Sequence, residues 1–198
     1  MDLVSRIQAI ILKPKEEWVK IKGESTTVAE LFTSYAVLLA AIPAIAQFIG
    51  YGLIGRRYPF VGWLRLGLGT SLLRAIFSYV FALVTVYLFA LIINALAPTF
   101  SSTPNMINAL KLSIYSMTPM WVAGILYLIP FLEFLVFIAG IYGLYILYLG
   151  FNTPLMDTPK EKVMGYLLVS IVVVVVLSVV LALILGAIFA VGGVYRPL

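Results

Sequence analysis

Lys111-Leu-Ser-Ile-Tyr115-Ser116-Met-Thr118-Pro119-Met-Trp121 opens an apolar run that is interrupted at Ile129-Pro130 and resumes at Phe131-Leu-Glu133. It continues through Gly140-Ile-Tyr142-Gly143-Leu-Tyr145-Ile-Leu-Tyr148-Leu-Gly150 into a polar Asn152 to Asp157 stretch. Each half has about 20 residues, about 30 Å as a helix, which is one hydrocarbon thickness. The stretch reads as a hairpin of two membrane-spanning helices, the first bent at Pro119 and the second lined with tyrosine and glycine.

The rest of the chain has the same character. Apolar residues make up 63% of it and charged ones 11%, with a mean hydropathy of +1.12. A soluble domain carries about 25% charged residues. Cysteine and histidine are both absent, which removes thiolate chemistry, the usual proton shuttle and the commonest transition-metal ligand. The net charge of +5 comes from residues that flank apolar spans, so the expected partner is an anionic headgroup layer, not nucleic acid.

Residues 1–28 are expected to form an amphipathic interfacial tail. Leu3, Val4, Ile7, Ile10 and Ile11 share one helical face, with Asp2, Ser5, Arg6 and Gln8 opposite. Pro14 suits the first position of a second helix, with Glu16 and Glu17 at its positive end. Trp18 is expected as an interfacial anchor, and Lys13, Lys15, Lys20 and Lys22 as headgroup contacts.

Residues 29–198 read as a five-span membrane domain, with spans at about 30–53, 72–97, 107–129, 131–151 and 163–191. In the first, Ala36, Ala40 and Ala44 recur every fourth residue for close packing. Pro43 leaves the Leu39 carbonyl without its helical donor, and Gln47 adds a second polar group at depth. The fifth, with its stripe of Ser178, Ala182, Gly186 and Ala190, carries no charge. The connector after the first span interleaves Arg56, Arg57 and Arg65 with Tyr58, Phe60 and Trp63, a composition that lies along headgroups. The fold class is an all-α membrane protein: a bundle of five transmembrane helices preceded by a short amphipathic interfacial helix.

Five spans put the termini on opposite sides. Lys13, Lys15, Lys20, Lys22, Lys111, Lys160 and Lys162 fall on one side, seven in all. Arg56, Arg57, Arg65, Arg74 and Arg196 fall on the other, five in all. The bias predicts a cytoplasmic amino terminus.

Catalytic classes are largely excluded. Histidine-dependent intramembrane proteases are impossible here, and the only aspartates, Asp2 and Asp157, lie outside the spans. Gly50-Tyr-Gly52-Leu-Ile-Gly55 approaches dinucleotide-loop spacing but ends an apolar span instead of joining a strand to a helix. No enzyme activity, metal or cofactor is expected.

The hairpin also supports a more specific reading. Tyr115-Ser116-x-Thr118-Pro119-x-Trp121, Ile129-Pro130, Tyr142-Gly-Leu-Tyr145-x-Leu-Tyr148-Leu-Gly150 and Met156 before Pro159-x-x-Lys162 together resemble the prokaryotic branch of the Yip family, the Ypt/Rab-interacting-protein membrane domains. Pro14-Lys-Glu-Glu-Trp18 resembles the Pro-x-x-x-Trp opening of that branch. The resemblance implies a five-span integral membrane protein with a cytoplasmic amino terminus. In eukaryotic members it implies binding to prenylated Rab-type GTPases, but their Asp-Leu-Tyr-Gly-Pro motif has no counterpart in this tail.

Two function classes follow. The first is a non-enzymatic membrane organiser or adaptor that binds a protein or lipid partner, or a second copy of itself as a homo-oligomer. The second is a lipid or small-solute conduit. Gln47, Tyr115, Ser116, Thr118, Pro119, Tyr145 and Tyr148 are the candidate polar bundle site, with Tyr145 and Tyr148 expected to share a face. Pro119 leaves the Tyr115 carbonyl unpaired within its helix, so Ser116, Thr118 or a neighbouring span should approach it. Glu133 falls in the first turn of the fourth span, on the membrane face of Arg74 and the connector. It is expected to be hydrogen-bonded to Arg56, Arg57, Arg65 or Arg74, holding the connector over the bundle.

Overall fold

The structure, a computed structural model, describes residues 2–58, 62–153, 155–190 and 195–197. Two short helices open it. Helix α1, Leu3–Leu12, is capped by the Asp2 carboxylate, which accepts from the Ser5 amide at 3.3 Å. Helix α2, Pro14–Gly23, starts on Pro14, with Glu16 and Glu17 in its first turn and Lys20 and Lys22 in its last. That charge order complements the helix dipole.

Among the described residues, five helical runs long and apolar enough to cross a bilayer follow: Val28–Ile54, Leu68–Phe100, Met106–Leu128, Pro130–Asn152 and Lys160–Val180. The helix of the fifth continues to Ala190. A capping box starts the first span: the Thr27 hydroxyl accepts from the Glu30 amide at 3.2 Å, and the Glu30 carboxylate accepts from the Thr27 amide at 2.8 Å. The observed architecture is the expected five-helix bundle with a short amphipathic helix ahead of it.

The third span is the hub. It packs against the first, second and fourth, while the fifth closes against the second and fourth. It is also the least hydrophobic, with a mean hydropathy of 1.2 against 2.0–2.9 elsewhere, yet 67% of it is buried against 22–39% for the others. Lys111, Ser113, Ser116 and Thr118 explain the inversion: lipid offers them no hydrogen bonds, so this span is the one surrounded by protein.

Small residues set the closest approaches. Ala36, Ala40 and Ala44 are buried, as their spacing predicts. A Cβ on Gly50 would stand 2.1 Å from the Tyr127 carbonyl oxygen, and one on Gly143 would stand 2.6 Å from that of Ser116. Of the fifth-span stripe, only the Ser178 side chain is among those described, and it lines a cavity between the spans.

The arginine-bearing connector folds as a hairpin of strands β1, Arg56–Tyr58, and β2, Gly62–Leu66. Strand β3, Tyr195–Pro197, adds antiparallel to β2, opposing Arg65 with Arg196. Pairing satisfies backbone groups that an irregular connector would leave unpaired at the membrane boundary. It also ties Tyr195–Pro197 to the first connector, on whose membrane face five spans place it. At the other end, the Thr103 amide donates to the Met156 carbonyl at 2.8 Å, and Lys162 donates to the Ser101 hydroxyl at 2.7 Å. The Ser/Thr turn, the 152–162 loop and the tail therefore share a face.

Candidate functional site

The tail is joined to the bundle by buried polar contacts. Arg6, predicted on the outer face of α1, is buried. Its guanidinium donates to Glu17 at 2.5 Å and to Glu24, and lies over the Tyr115 ring at 5.8 Å. Burial by itself disfavours the charge on Arg6. The Glu24 hydrogen bond and the fields of Glu24 and Glu17 outweigh it and hold the guanidinium above its ordinary pKa. Lys111, also buried, donates from Nζ to the carbonyls of Ile21 at 2.8 Å and Glu24 at 2.6 Å, where α2 ends and its dipole is negative.

Trp18 corrects the expectation of an interfacial anchor. It is 1% exposed, and its indole N–H donates to the Ile146 carbonyl at 2.9 Å. The ring occupies the space left by the missing side chain of Gly150, whose Cβ would stand 2.8 Å from it. The Tyr142 hydroxyl donates to the Ile11 carbonyl at 2.7 Å. Lys13, Lys15, Lys20 and Lys22 remain exposed on the outer surface.

At the Pro119 bend a hydroxyl relay fills the gap left by the missing amide. The Thr118 hydroxyl donates to the Tyr115 carbonyl at 2.7 Å. It stands 2.8 Å from the Tyr35 hydroxyl of the first span, which must donate to it since the Thr118 proton is already committed. Ser116 instead bonds the Leu112 carbonyl one turn back. Thr118→Val leaves both the carbonyl and the tyrosine hydroxyl unpaired, whereas Tyr35→Phe removes only one end. The expected loss is about 1–3 kcal/mol for the first and about 1 kcal/mol for the second, read as thermal midpoints in detergent. Equal losses would argue against the relay.

On the opposite face, Arg56 is 6% exposed and stacks over Tyr51 at 4.0 Å, with Arg74 on the same ring at 4.9 Å. Arg56 Nη2 stands 2.8 Å from Glu133 Oε2, so Arg56 is the arginine that reaches the carboxylate. The expected hydrogen bond is not aligned: Nε, Nη1 and Nη2 of Arg56 all lack a hydrogen-bond partner. Charge contact therefore holds the pair, and planar donors remain over. Pro130–Leu132 forms a 3-10 turn with Glu133 next to it, and the Glu133 side chain makes no capping bond to the following helix. Arg65 is exposed, and the Arg57 side chain lies outside the described residues. Glu133→Gln is expected to speed tryptic nicking after Arg65 several-fold in lipid-free detergent, with Glu133→Asp less affected; an unchanged rate would show that the pair does not hold the connector.

Between the spans lies a cavity of about 480 Å³ with Pro43, Gln47, Ser78, Thr85, Trp121 and Tyr127 in its wall. Its surface is mainly apolar, and the Thr85 hydroxyl is buried without a partner. Among the described residues, no group of acidic residues is placed to hold a metal ion.

The family model described as the Yip1 domain matches residues 9–194, nearly the whole chain. The chain belongs to the Yip1 domain family. It is similar to the inner membrane protein YohC of Escherichia coli strain K12, 28% identical over 127 residues, which are 64% of this chain and 65% of that protein. The YohC of Escherichia coli O6:H1 strain CFT073 matches to the same extent. The chain thus spans about two thirds of the length of the relatives it matches. No solved structure matches it.

In this Yip1-domain chain the seven residues predicted as one polar bundle site are divided. Gln47 alone lines the cavity. Tyr115, Ser116, Thr118 and Pro119 are buried beside the tail or the bend, and Tyr145 is largely exposed. Tyr145 pairs with Tyr142, ring centroids 5.8 Å apart, not with Tyr148, which packs against the core. The division follows from helix geometry: positions 142, 145 and 148 drift around the helix at three-residue spacing. Sequence reasoning missed Tyr35, Tyr51, Thr85 and Trp121. Tyr51 follows Gln47 by one turn, a signal that was available; Tyr35 carries none, because its partner is 83 residues away.

Proposed function

We propose that this Yip1-domain membrane protein is a non-enzymatic organiser that presents a rigid basic face to an anionic partner surface on the amino-terminal side of the membrane. One observation carries this reading: the tail is clamped to the third and fourth spans by Trp18, Lys111 and Tyr142, with its own Arg6–Glu17 pair buried over Tyr115, while Lys13, Lys15, Lys20 and Lys22 stay outward. A tail meant only to dip into lipid has no use for a buried ion pair. Each outward lysine contributes about 1 kcal/mol near an anionic surface.

The protein reconstituted in neutral vesicles should co-float with anionic phosphatidylserine vesicles at low salt, and Lys13, Lys15, Lys20 and Lys22→Gln together should abolish the association. Failure to co-float, with transfer of labelled lipid between leaflets instead, would favour a conduit. The charge bias supports a cytoplasmic placement of this face. Reporter fusions after Gly23, Pro98 and Asp157 should then report cytoplasm, and one after Tyr58 should not; a cytoplasmic signal at Tyr58 would defeat the topology.

A further inference from the structure

We propose that Arg56, Arg74 and the adjoining cavity form one binding site for an anionic glycerophospholipid of the connector-side leaflet, with its phosphodiester on the guanidinium groups and an acyl chain between the first and second spans. It does not depend on the lysine face of the tail. The polar end is a buried cation with donors to spare. Arg56 and Arg74 share the Tyr51 ring, while Glu133 supplies one carboxylate, leaving one positive charge over. All three guanidinium nitrogens of Arg56 lack aligned acceptors, and the buried Ser71 hydroxyl is unpartnered. Buried donors without aligned acceptors are costly, and a phosphodiester supplies acceptor oxygens in the planar geometry of Arg56 together with one negative charge for Arg74.

The apolar end continues the same helix faces. Arg74 precedes Ser78 by one turn on the second span, and Tyr51 follows Gln47 by one turn on the first; Ser78 and Gln47 both line the cavity. The lining then runs along the second span through Ala82 and Thr85 to Phe89, and along the first through Pro43 to Ala40. From Arg74 to Phe89 the helix rises about 22 Å, enough to accommodate a chain crossing its own leaflet of about 15 Å. Tyr127 belongs to both ends: it lines the cavity, and its carbonyl lies against Gly50, the neighbour of Tyr51.

Trp121 in the cavity wall provides the readout. Full-length protein in maltoside micelles is titrated with phosphatidylglycerol brominated along its acyl chains. Saturable quenching is expected, and in Trp121→Phe its saturable part should fall to whatever Trp18 and the exposed Trp63 contribute. Arg56→Gln with Arg74→Gln should raise the half-saturating concentration about tenfold or more, since charged hydrogen bonds are lost. Arg74→Gln alone, at an exposed position, guards against misfolding of the double variant and should raise it several-fold. Glu133→Gln removes the internal competitor and should lower it several-fold, an effect a purely structural ion pair would not produce. Equal quenching by brominated phosphatidylcholine and phosphatidylglycerol, or no tightening in Glu133→Gln, would overturn the site. Loss of quenching on adding millimolar inorganic phosphate would mean that a soluble oxyanion is the ligand and would overturn the lipid assignment.

Discussion

Arg6→Ala is expected to unfasten α1 from α2 within the amino-terminal tail, to remove its contact over Tyr115, and to cost about 3 kcal/mol or more of stability, the largest effect of any single polar replacement here. The reason is the partner left behind. Glu17 is 1% exposed, and without Arg6 its carboxylate keeps only the Lys20 ammonium at 3.2 Å. Glu24 loses its guanidinium contact at the same time, beside the carbonyls that Lys111 holds. The measurement is denaturant unfolding in micelles together with trypsin cleavage after Lys20 and Lys22. Adding Glu17→Gln to Arg6→Ala removes the stranded charge and should recover part of the loss, giving a strongly non-additive cycle. A change within about 0.5 kcal/mol of the parent for Arg6→Ala would show that the tail is not anchored this way.

Gly50→Ala should be as damaging, although it adds one methyl group to a helix. The new Cβ would stand 2.1 Å from the Tyr127 carbonyl oxygen and 3.1 Å from its carbon, and backbone cannot swing aside as a side chain can. The first and third spans must separate at the connector end, where Tyr51 supports both arginines. Overpacking typically costs about 1–3 kcal/mol and here falls at the upper end or beyond. Gly69→Ala is the control: its Cβ would meet nothing within 4 Å, so the usual helix gain of up to about 1 kcal/mol is expected. Thermal midpoints in micelles should move in opposite directions. If both variants behave alike, the contact at Gly50 is not as close as described.

These two positions lie on opposite membrane faces, and the third span serves both. Its Lys111 end holds the tail, its Thr118 step joins the first span, and its Tyr127 end meets Gly50 and the arginine pair. A ligand at one face and a partner at the other would therefore bear on the same helix.

The five spans were legible in the sequence because partition into a bilayer is a local sum over about 20 residues. Their number, the amphipathic period of α1 and the bend at Pro119 need no knowledge of neighbours. The Glu133 to Arg56 contact was half legible, since helix count alone brings Glu133 to the face of the connector, but which arginine reaches it depends on the Tyr51 platform. Other features depended on pairing between distant segments. Trp18 and Arg6 have the residue types of an interfacial helix, yet they are buried because Ile146, Gly150, Glu17 and Glu24 complete their surroundings. The third strand exists only because Tyr195–Pro197 returns to β2. Local hydropathy decides which segments enter the membrane; which polar groups meet inside it is decided by the tertiary structure, since each needs a partner that lipid cannot supply.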